Sequence, residues 1–294
     1  MAQNLESSSG APFRDCPNCP EMVLVPAGTF TMGSPATEPG RRENEGPQQK
    51  VTLAAFAIGR FELTVGEFRS FVREAGYRTD SFCDVNPDGG VRWTSQQGYD
   101  WEHPGLTGYQ QTDRNPVGCI SWFDAKAYVA WLSHKTGKTY RLLTEAEFEY
   151  AARAGSTAAY PWGTDPDLGC SSANGGDTTA GAATWWRADW PRHLACNDGF
   201  LYSAPAGSHQ PNAFGLYDMI GNAWEWVEDC YAERYVPTQG PSDIEESCGI
   251  RVIRGGSWAN SVPNLRSSLR FPAPPGEHDN TTGFRVAKTI YVGS

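Results

Sequence analysis

Three stretches of the chain carry apolar residues at helical spacing behind a capping pattern. Thr64-Val-Gly-Glu67 places a helix-starting box ahead of Val65, Phe68, Phe71 and Val72, which share one face, and Gly76 ends it. Ser121-Trp-Phe-Asp124 repeats the arrangement with Asp in the third position. Trp122, Ala125, Tyr128, Val129 and Leu132 follow, up to Gly137. Thr144-Glu-Ala-Glu147 begins a third helix with Phe148, Ala151 and Ala152 on its apolar side. The acidic first turn suits the positive end of the helix dipole.

Strand patterns are shorter. Met22 to Met32 predicts two strands around a turn at Pro26 to Gly28. Val51 to Ile58 predicts one strand, and Tyr140 to Leu143 another. Arg251 to Trp258 and Gly283 to Ala287 are strand-like near the end of the chain. Between these elements, Asp80 to Arg114 shows no clear period. A loop that long inside a compact domain is functional or wrongly assigned. Gly155 to Gly215 is also aperiodic and holds Trp162, Trp185, Trp186 and Trp190 among Gly, Asp and Asn. No internal repeat or linker divides the chain. The expectation is an N-terminal arm over residues 1–20, its first 15 residues a flexible tail, then one α+β domain over 21–290.

Composition sharpens this. The 294 residues are 39% hydrophobic and 20% charged, as in a globular protein. The 32 Gly, 21 Pro and 11 Trp imply long ordered loops pinned by rings. A net charge of -10 argues against nucleic acid or an anionic membrane as a main partner. No apolar run approaches the ~20 residues of a membrane span. Residues Met1 to Pro12 lack the basic-then-apolar pattern of a signal peptide. The expected compartment is the cytoplasm, or the periplasm for a chain whose signal has been removed.

The eight cysteines are even in number, which fits disulfides. Cys16-Pro-Asn-Cys19 is a CxxC among prolines. A zinc site would need a second ligand pair at similar spacing, and none appears. Structural disulfide, free thiols, and metal or redox use all stay open for it.

The densest candidate chemistry lies in Gly215-Leu-Tyr-Asp-Met-Ile-Gly-Asn-Ala-Trp-Glu-Trp226. It has neither a helical nor a strand period. Asp218 and Glu225 bracket a turn at Gly221, Asn222 and Ala223. Glycine permits conformations that point backbone carbonyls inward. Carboxylates with inward carbonyls suit a hard cation such as calcium. A plain tight turn between the core aromatics Trp224 and Trp226 is the competing explanation.

Several stretches, in order over roughly residues 20–290, together resemble the formylglycine-generating enzyme family, whose fold is a loop-rich variant of the C-type-lectin-like architecture. They are Val25-Pro-Ala-Gly-Thr-Phe-Thr-Met-Gly33, Asn115-Pro-Val with Ser121-Trp, Arg141 to Arg153, Tyr160-Pro-Trp-Gly163, Asn212 to Trp226, Arg254-Gly-Gly-Ser-Trp258 and Gly283-Phe-Arg285. The resemblance implies structural calcium in two groups. One maps to Asn174, Gly175, Asp198 and Phe200, the other to Asp218, Gly221, Ala223 and Glu225.

The family's copper-dependent enzymes carry two cysteines shortly after Arg-Gly-Gly-Ser. Here those positions are Asn260 and Leu265. Copper(I) wants thiolate, which neither an amide nor an isobutyl group supplies. The chain is therefore not expected to make formylglycine through copper(I) on a cysteine pair, and any redox metal is left unknown. The family's iron-dependent sulfoxide synthases carry a His-x3-His-x-Glu motif on an extra domain. None of His103, His134, His193, His209 and His278 has that spacing. Phe13 to Met22 and the missing pair look closer to periplasmic members needed for siderophore maturation.

The resemblance thus implies an oxidoreductase or tailoring enzyme on a peptide-like or small-molecule substrate. Ser257, Asn260 and Arg254 are its candidate catalytic residues, with Trp258, Arg266 and Arg270 nearby. Arg254 and Ser257 could equally tie down loops. The alternative is a non-catalytic ligand-binding protein on a calcium-stiffened scaffold. A pocket packed shut by Leu265 and Trp258 would favour binding; an open polar cleft with a second metal would favour the enzyme. A redox protein using Cys16 and Cys19 is a third reading.

Overall fold

A computed structural model describes residues 11–85, 94–183, 192–235 and 248–290. The three capped helices form where expected: α1 (Val65–Ala75), α2 (Trp122–Thr136) and α3 (Glu145–Arg153). Each begins with its reciprocal box. Thr64, Ser121 and Thr144 accept from the third residue's amide, and Glu67, Asp124 and Glu147 reach back. Such a cap is worth about 1 kcal/mol. Gly76 and Gly137 end α1 and α2 in the left-handed conformation, and Ala154 does so for α3 without being glycine. A fourth helix, α4 (Thr178–Gly181), is a single turn inside the segment expected to be irregular.

The first sheet takes β1 (Met22–Val25), β4 (Phe56–Gly59), β12 (Val286–Thr289) and β7 (Tyr140–Leu142) in the order β1-β4-β12-β7, all antiparallel. A ribbon pairs β2 (Gly28–Met32) with β3 (Gln49–Leu53). The expected strand from Val51 to Ile58 is therefore two strands, broken at Ala54-Ala55 and given to different sheets. The strands flanking Pro26 form, but each pairs elsewhere and they make no hairpin with each other.

The second sheet has the order β10-β9-β8-β11, from β8 (Trp224–Cys230), β9 (Arg251–Arg254), β10 (Arg270–Ala273) and β11 (Thr282–Gly283). Strand β8 corrects the reading of Gly215 to Trp226 as aperiodic: its end is a strand paired along β9. Strand β9 stops at Arg254, because Gly255 and Gly256 take φ of 94° and 78°. Strands β11 and β12 divide the stretch expected to be one. A further hairpin, β5 (Phe82–Val85) with β6 (Thr94–Gln97), corrects the assignment of Asp80 to Arg114 as loop.

One buried cluster joins Phe68 and Phe71 of α1 to Tyr128 and Leu132 of α2, Trp226 and Phe284. A second surrounds Phe148 and Ala151 of α3 with Ile58, Leu216, Met219, Val227 and Leu265. Both indoles of β8 are buried. In the arm, Phe13 exchanges two backbone hydrogen bonds with Met22, and Asp15 accepts from Lys288 and Tyr140. Residues 13–15 of the tail are therefore held to the body of the fold.

All eight cysteines are paired: Cys16–Cys19, Cys83–Cys119, Cys170–Cys196 and Cys230–Cys248. Trp162 stacks on Tyr160 with centroids 5.1 Å apart. Trp185, Trp186 and Trp190 lie outside the described residues.

Candidate functional site

The left-handed glycines after β9 turn the chain so that Ser257 and Asn260 meet. At Gly256 no other residue fits, since a Cβ would lie 2.5 Å from Asn264 O. Ser257 donates both its amide and its Oγ hydroxyl to Asn260 Oδ1, at 2.8 and 2.9 Å. Two of the three expected catalytic residues are thus together, but they close a local turn. Ser257 is 1% exposed and its hydroxyl hydrogen is spent on an amide oxygen rather than a base.

Arg254 is placed differently from the catalytic expectation. Its guanidinium is fully buried and donates to Glu149 Oε2 (2.7 Å) and to the carbonyls of Ser267 (3.1 Å) and Ser268 (3.0 Å). Arg266 is buried against Glu45 and Glu38, and Arg270 grips Glu145 at 2.7 and 2.8 Å. These three guanidiniums tie loops to strands and to α3. Burial would raise Glu149, but Arg254 and Arg153 beside it hold it below the usual carboxylate range.

Leu265, at one of the two positions where a thiol pair would stand, is wholly buried, and Trp258 is 5% exposed. Leu265 is wedged between Gly175 and Gly256, where a Cβ on Gly175 would lie 2.4 Å from its Cδ1. With all eight cysteines in disulfides, no free thiol exists to take copper(I).

A more open feature lies on one side of this turn. Tyr99, His103, Leu106, Thr107, Tyr109 and Gln111 help to line a cleft of about 360 Å3. Tyr109 stands edge-on to Tyr202 (5.7 Å), and Tyr202 edge-on to Trp258 (5.1 Å). Tyr109 Oη and Ser203 Oγ are 2.5 Å apart. An aromatic row therefore runs from the cleft to the residue after Ser257.

The two expected calcium groups differ. In the first, Asn174 Nδ2 donates to Tyr202 O (2.9 Å) and Asn222 Oδ1 (3.1 Å), leaving Asn174 Oδ1 buried without a partner. Asp198 Oδ1 accepts from the Phe200 amide (2.8 Å), while Asp198 Oδ2 is also buried without a partner. Burial pushes the Asp198 carboxyl up to about 6, against the lowering pull of the Phe200 amide, His209 and the Gly175 amide. Unpaired buried oxygens are costly unless something satisfies them. Two such oxygens, flanked in sequence by the Gly175 and Phe200 carbonyls, fit calcium.

In the second group each side-chain oxygen already faces a donor. Glu225 gives both of its oxygens to Arg285, at 2.7 to 3.0 Å. Asp218 Oδ2 accepts from the Gly207 amide (2.7 Å), and its Oδ1 faces His209 Nδ1 (3.2 Å). Gly221, at φ 80°, sits so close to Asn174 O that a Cβ would approach it to 2.2 Å. The Ala223 amide donates to Glu62 Oε1 (2.9 Å), and Asn222 Nδ2 to Glu62 Oε2 (2.7 Å). The second group, as arranged, offers an ion no free side-chain oxygen.

Glu62 escaped the sequence reading. Burial first, then Asp218 and Glu225, raise it well above the usual carboxylate range. Its one signal is an acidic residue set alone between Phe61 and Leu63. Among the described residues no three acidic, histidine or cysteine side chains converge as ligands. An ion in the first group would therefore lean on the Asn174 amide and on carbonyls.

Comparison with known proteins adds to this geometry. The model of the sulfatase-modifying factor enzyme 1-like domain matches residues 8–290. The solved structure of PvdO from Pseudomonas aeruginosa is 39% identical, with a TM-score of 0.79, over 96% of this chain and 99% of that one. The formylglycine-generating enzyme of Thermomonospora curvata is 33% identical over 90% of this chain and 92% of its own length. The inactive C-alpha-formylglycine-generating enzyme 2 of Bos taurus is 32% identical over 90% and 87%.

Proposed function

We propose that this chain, which belongs to the sulfatase-modifying factor enzyme 1-like family, is a tailoring protein for a peptide-like substrate of the siderophore-precursor class and does not make formylglycine. The observation that carries this is the filling of the thiol-pair positions. Leu265 is buried in one, Asn260 closes a turn in the other, and all cysteines are bonded elsewhere. The cleft beside Tyr109, Tyr202 and Trp258 is where a substrate would lie, its rings offering faces to planar or apolar groups. Likeness to PvdO along nearly its whole length supports the siderophore side of the reading. Four disulfides support an oxidising compartment such as the periplasm. No helix among the described residues is long and apolar enough to cross a membrane.

Calcium would be held by the side chains of Asn174 and Asp198 and the carbonyls of Gly175 and Phe200. Bound there, it cross-links loops and supplies no chemistry.

A second reading, ligand binding without reaction, is favoured by the closed packing of Leu265 and Trp258. One experiment separates the readings. The protein is incubated with a sulfatase peptide and with a siderophore-type precursor under oxygen, and the products are weighed by mass spectrometry. The tailoring reading expects the precursor to lose hydrogen and the sulfatase peptide to stay intact. Binding of an unchanged precursor supports the second reading, and formylglycine in the peptide would defeat both.

A further inference from the structure

We propose that His209 is an additional ligand of the ion at Asn174 and Asp198. The site is then a mixed oxygen–nitrogen one, open to manganese, iron(II) and zinc as well as calcium. This rests on the first group holding an ion at all.

The imidazole is 4% exposed, and its Nδ1 lies 3.2 Å from Asp218 Oδ1. An ionised carboxylate can only accept, so Nδ1 carries the hydrogen and the Nε2 lone pair is left to the other side of the ring. Nε2 is buried and has no hydrogen-bond partner among the described residues. It is the third such atom in this part of the fold, after Asn174 Oδ1 and Asp198 Oδ2.

Local contacts draw the three residues together. The Phe200 amide donates to Asp198, while its ring stands edge-on to His209 at 6.1 Å, so Asp198 and His209 both contact one residue. Asn174 is bound twice to Asn222, by Nδ2 to Oδ1 at 3.1 Å and by O from the Asn222 amide at 2.6 Å. Asp218, the partner of His209, begins the turn that contains Asn222.

A carboxylate that receives one imidazole N–H while the other nitrogen faces a metal fixes the tautomer and raises ligand basicity. Asp218 here stands behind the histidine and is not a ligand itself. Imidazole suits zinc and iron better than calcium, which prefers oxygen alone, and manganese stands between them.

The test uses the full chain, stripped with chelator and titrated separately with CaCl2, MnCl2 and ZnCl2. X-ray absorption at the zinc edge is then measured on the zinc-loaded protein. The expected spectrum contains imidazole nitrogen at about 2.0–2.1 Å. His209→Ala is expected to weaken zinc by about 100-fold or more, with calcium changed far less. An oxygen-only shell, or zinc affinity untouched in His209→Ala, would overturn the histidine while leaving calcium at Asn174 and Asp198 intact. Failure to bind any of the three ions would overturn both. The absorption measurement needs no variant, so it decides even if His209→Ala does not fold.

Discussion

Two buried polar regions of this protein solve the same problem differently. Around the second sheet, Arg254, Arg266, Arg270 and Arg285 are all buried, and each is answered by a carboxylate of the chain: Glu149, Glu45, Glu145 and Glu225. In the loops between residues 174 and 209, Asn174 Oδ1, Asp198 Oδ2 and His209 Nε2 are equally buried and have no hydrogen-bond partner among the described residues. The charges of the first region are paired within the chain, although Arg254 Nε has no hydrogen-bond partner among the described residues. In the second, the ion proposed above would answer the unpaired atoms. Arg254, the one arginine expected to do chemistry, belongs to the first, where it ties α3 to the loop at Ser267 and Ser268.

The largest effect is expected where the self-sufficient region is broken. Glu149→Ala strands Arg254 and Arg153 in the interior. It should cost about 3–5 kcal/mol in urea unfolding, with or without divalent ions. Removing ions should act only on the other region. Unfolding followed with excess calcium and then with chelator should differ by about 2.7 kcal/mol if calcium was present at 100 times its dissociation constant. Asp198→Asn should abolish that difference. It should also raise the stability of the ion-free protein, because a buried charge is removed.

The pH dependence sharpens the contrast further. Burial pushes Asp198 to about 6, and Asp229 and Asp279 to about 7. An unfolded chain releases these protons near 4. Between pH 4 and 7 the folded state therefore holds more protons, and stability should fall as pH rises, by about 1 kcal/mol per unit for each of the three groups while it is protonated only in the fold. Calcium should cancel the share due to Asp198. Glu45 and Glu149 pull the other way. Their pKa values are lowered in the fold, so their contribution is present above about 4.5 and lost as pH falls further. Paired thermal melts from pH 4 to 7, with calcium and with chelator, measure both trends.

The smallest effect is expected at Ser257→Ala. It removes two hydrogen bonds inside a turn, the one donated to Asn260 and the long one accepted from the Ala259 amide, together worth about 1–2 kcal/mol, and should leave precursor binding by calorimetry unchanged. A large loss of binding would return Ser257 to the site.

The helices were legible because their signals are local: three capping boxes within four residues each, and glycines at two of the three C-termini. The strand near Trp224 was not. Its sequence looks like a turn around Gly221, and the strand exists because β9, some 25 residues on, pairs with it. The same distance hid Arg285, which takes the carboxylate of Glu225 from 60 residues away. Nothing near Glu225 announces that a guanidinium would stand there. Asn174 and Asp198 were found through the family resemblance alone, since each sits in an aperiodic loop. His209, one histidine in a polar segment, gave no signal until the fold placed it against Asp218.

On the proposed reading an ion completes the loop region, beside thiol-pair positions occupied by Asn260 and Leu265. Native mass spectrometry of the protein, purified without chelator and reloaded with calcium, tests it most directly. The account predicts one tightly held divalent ion per chain in the wild type and none in Asp198→Asn. A wild-type mass with no ion, at a stability that chelator does not change, would contradict it.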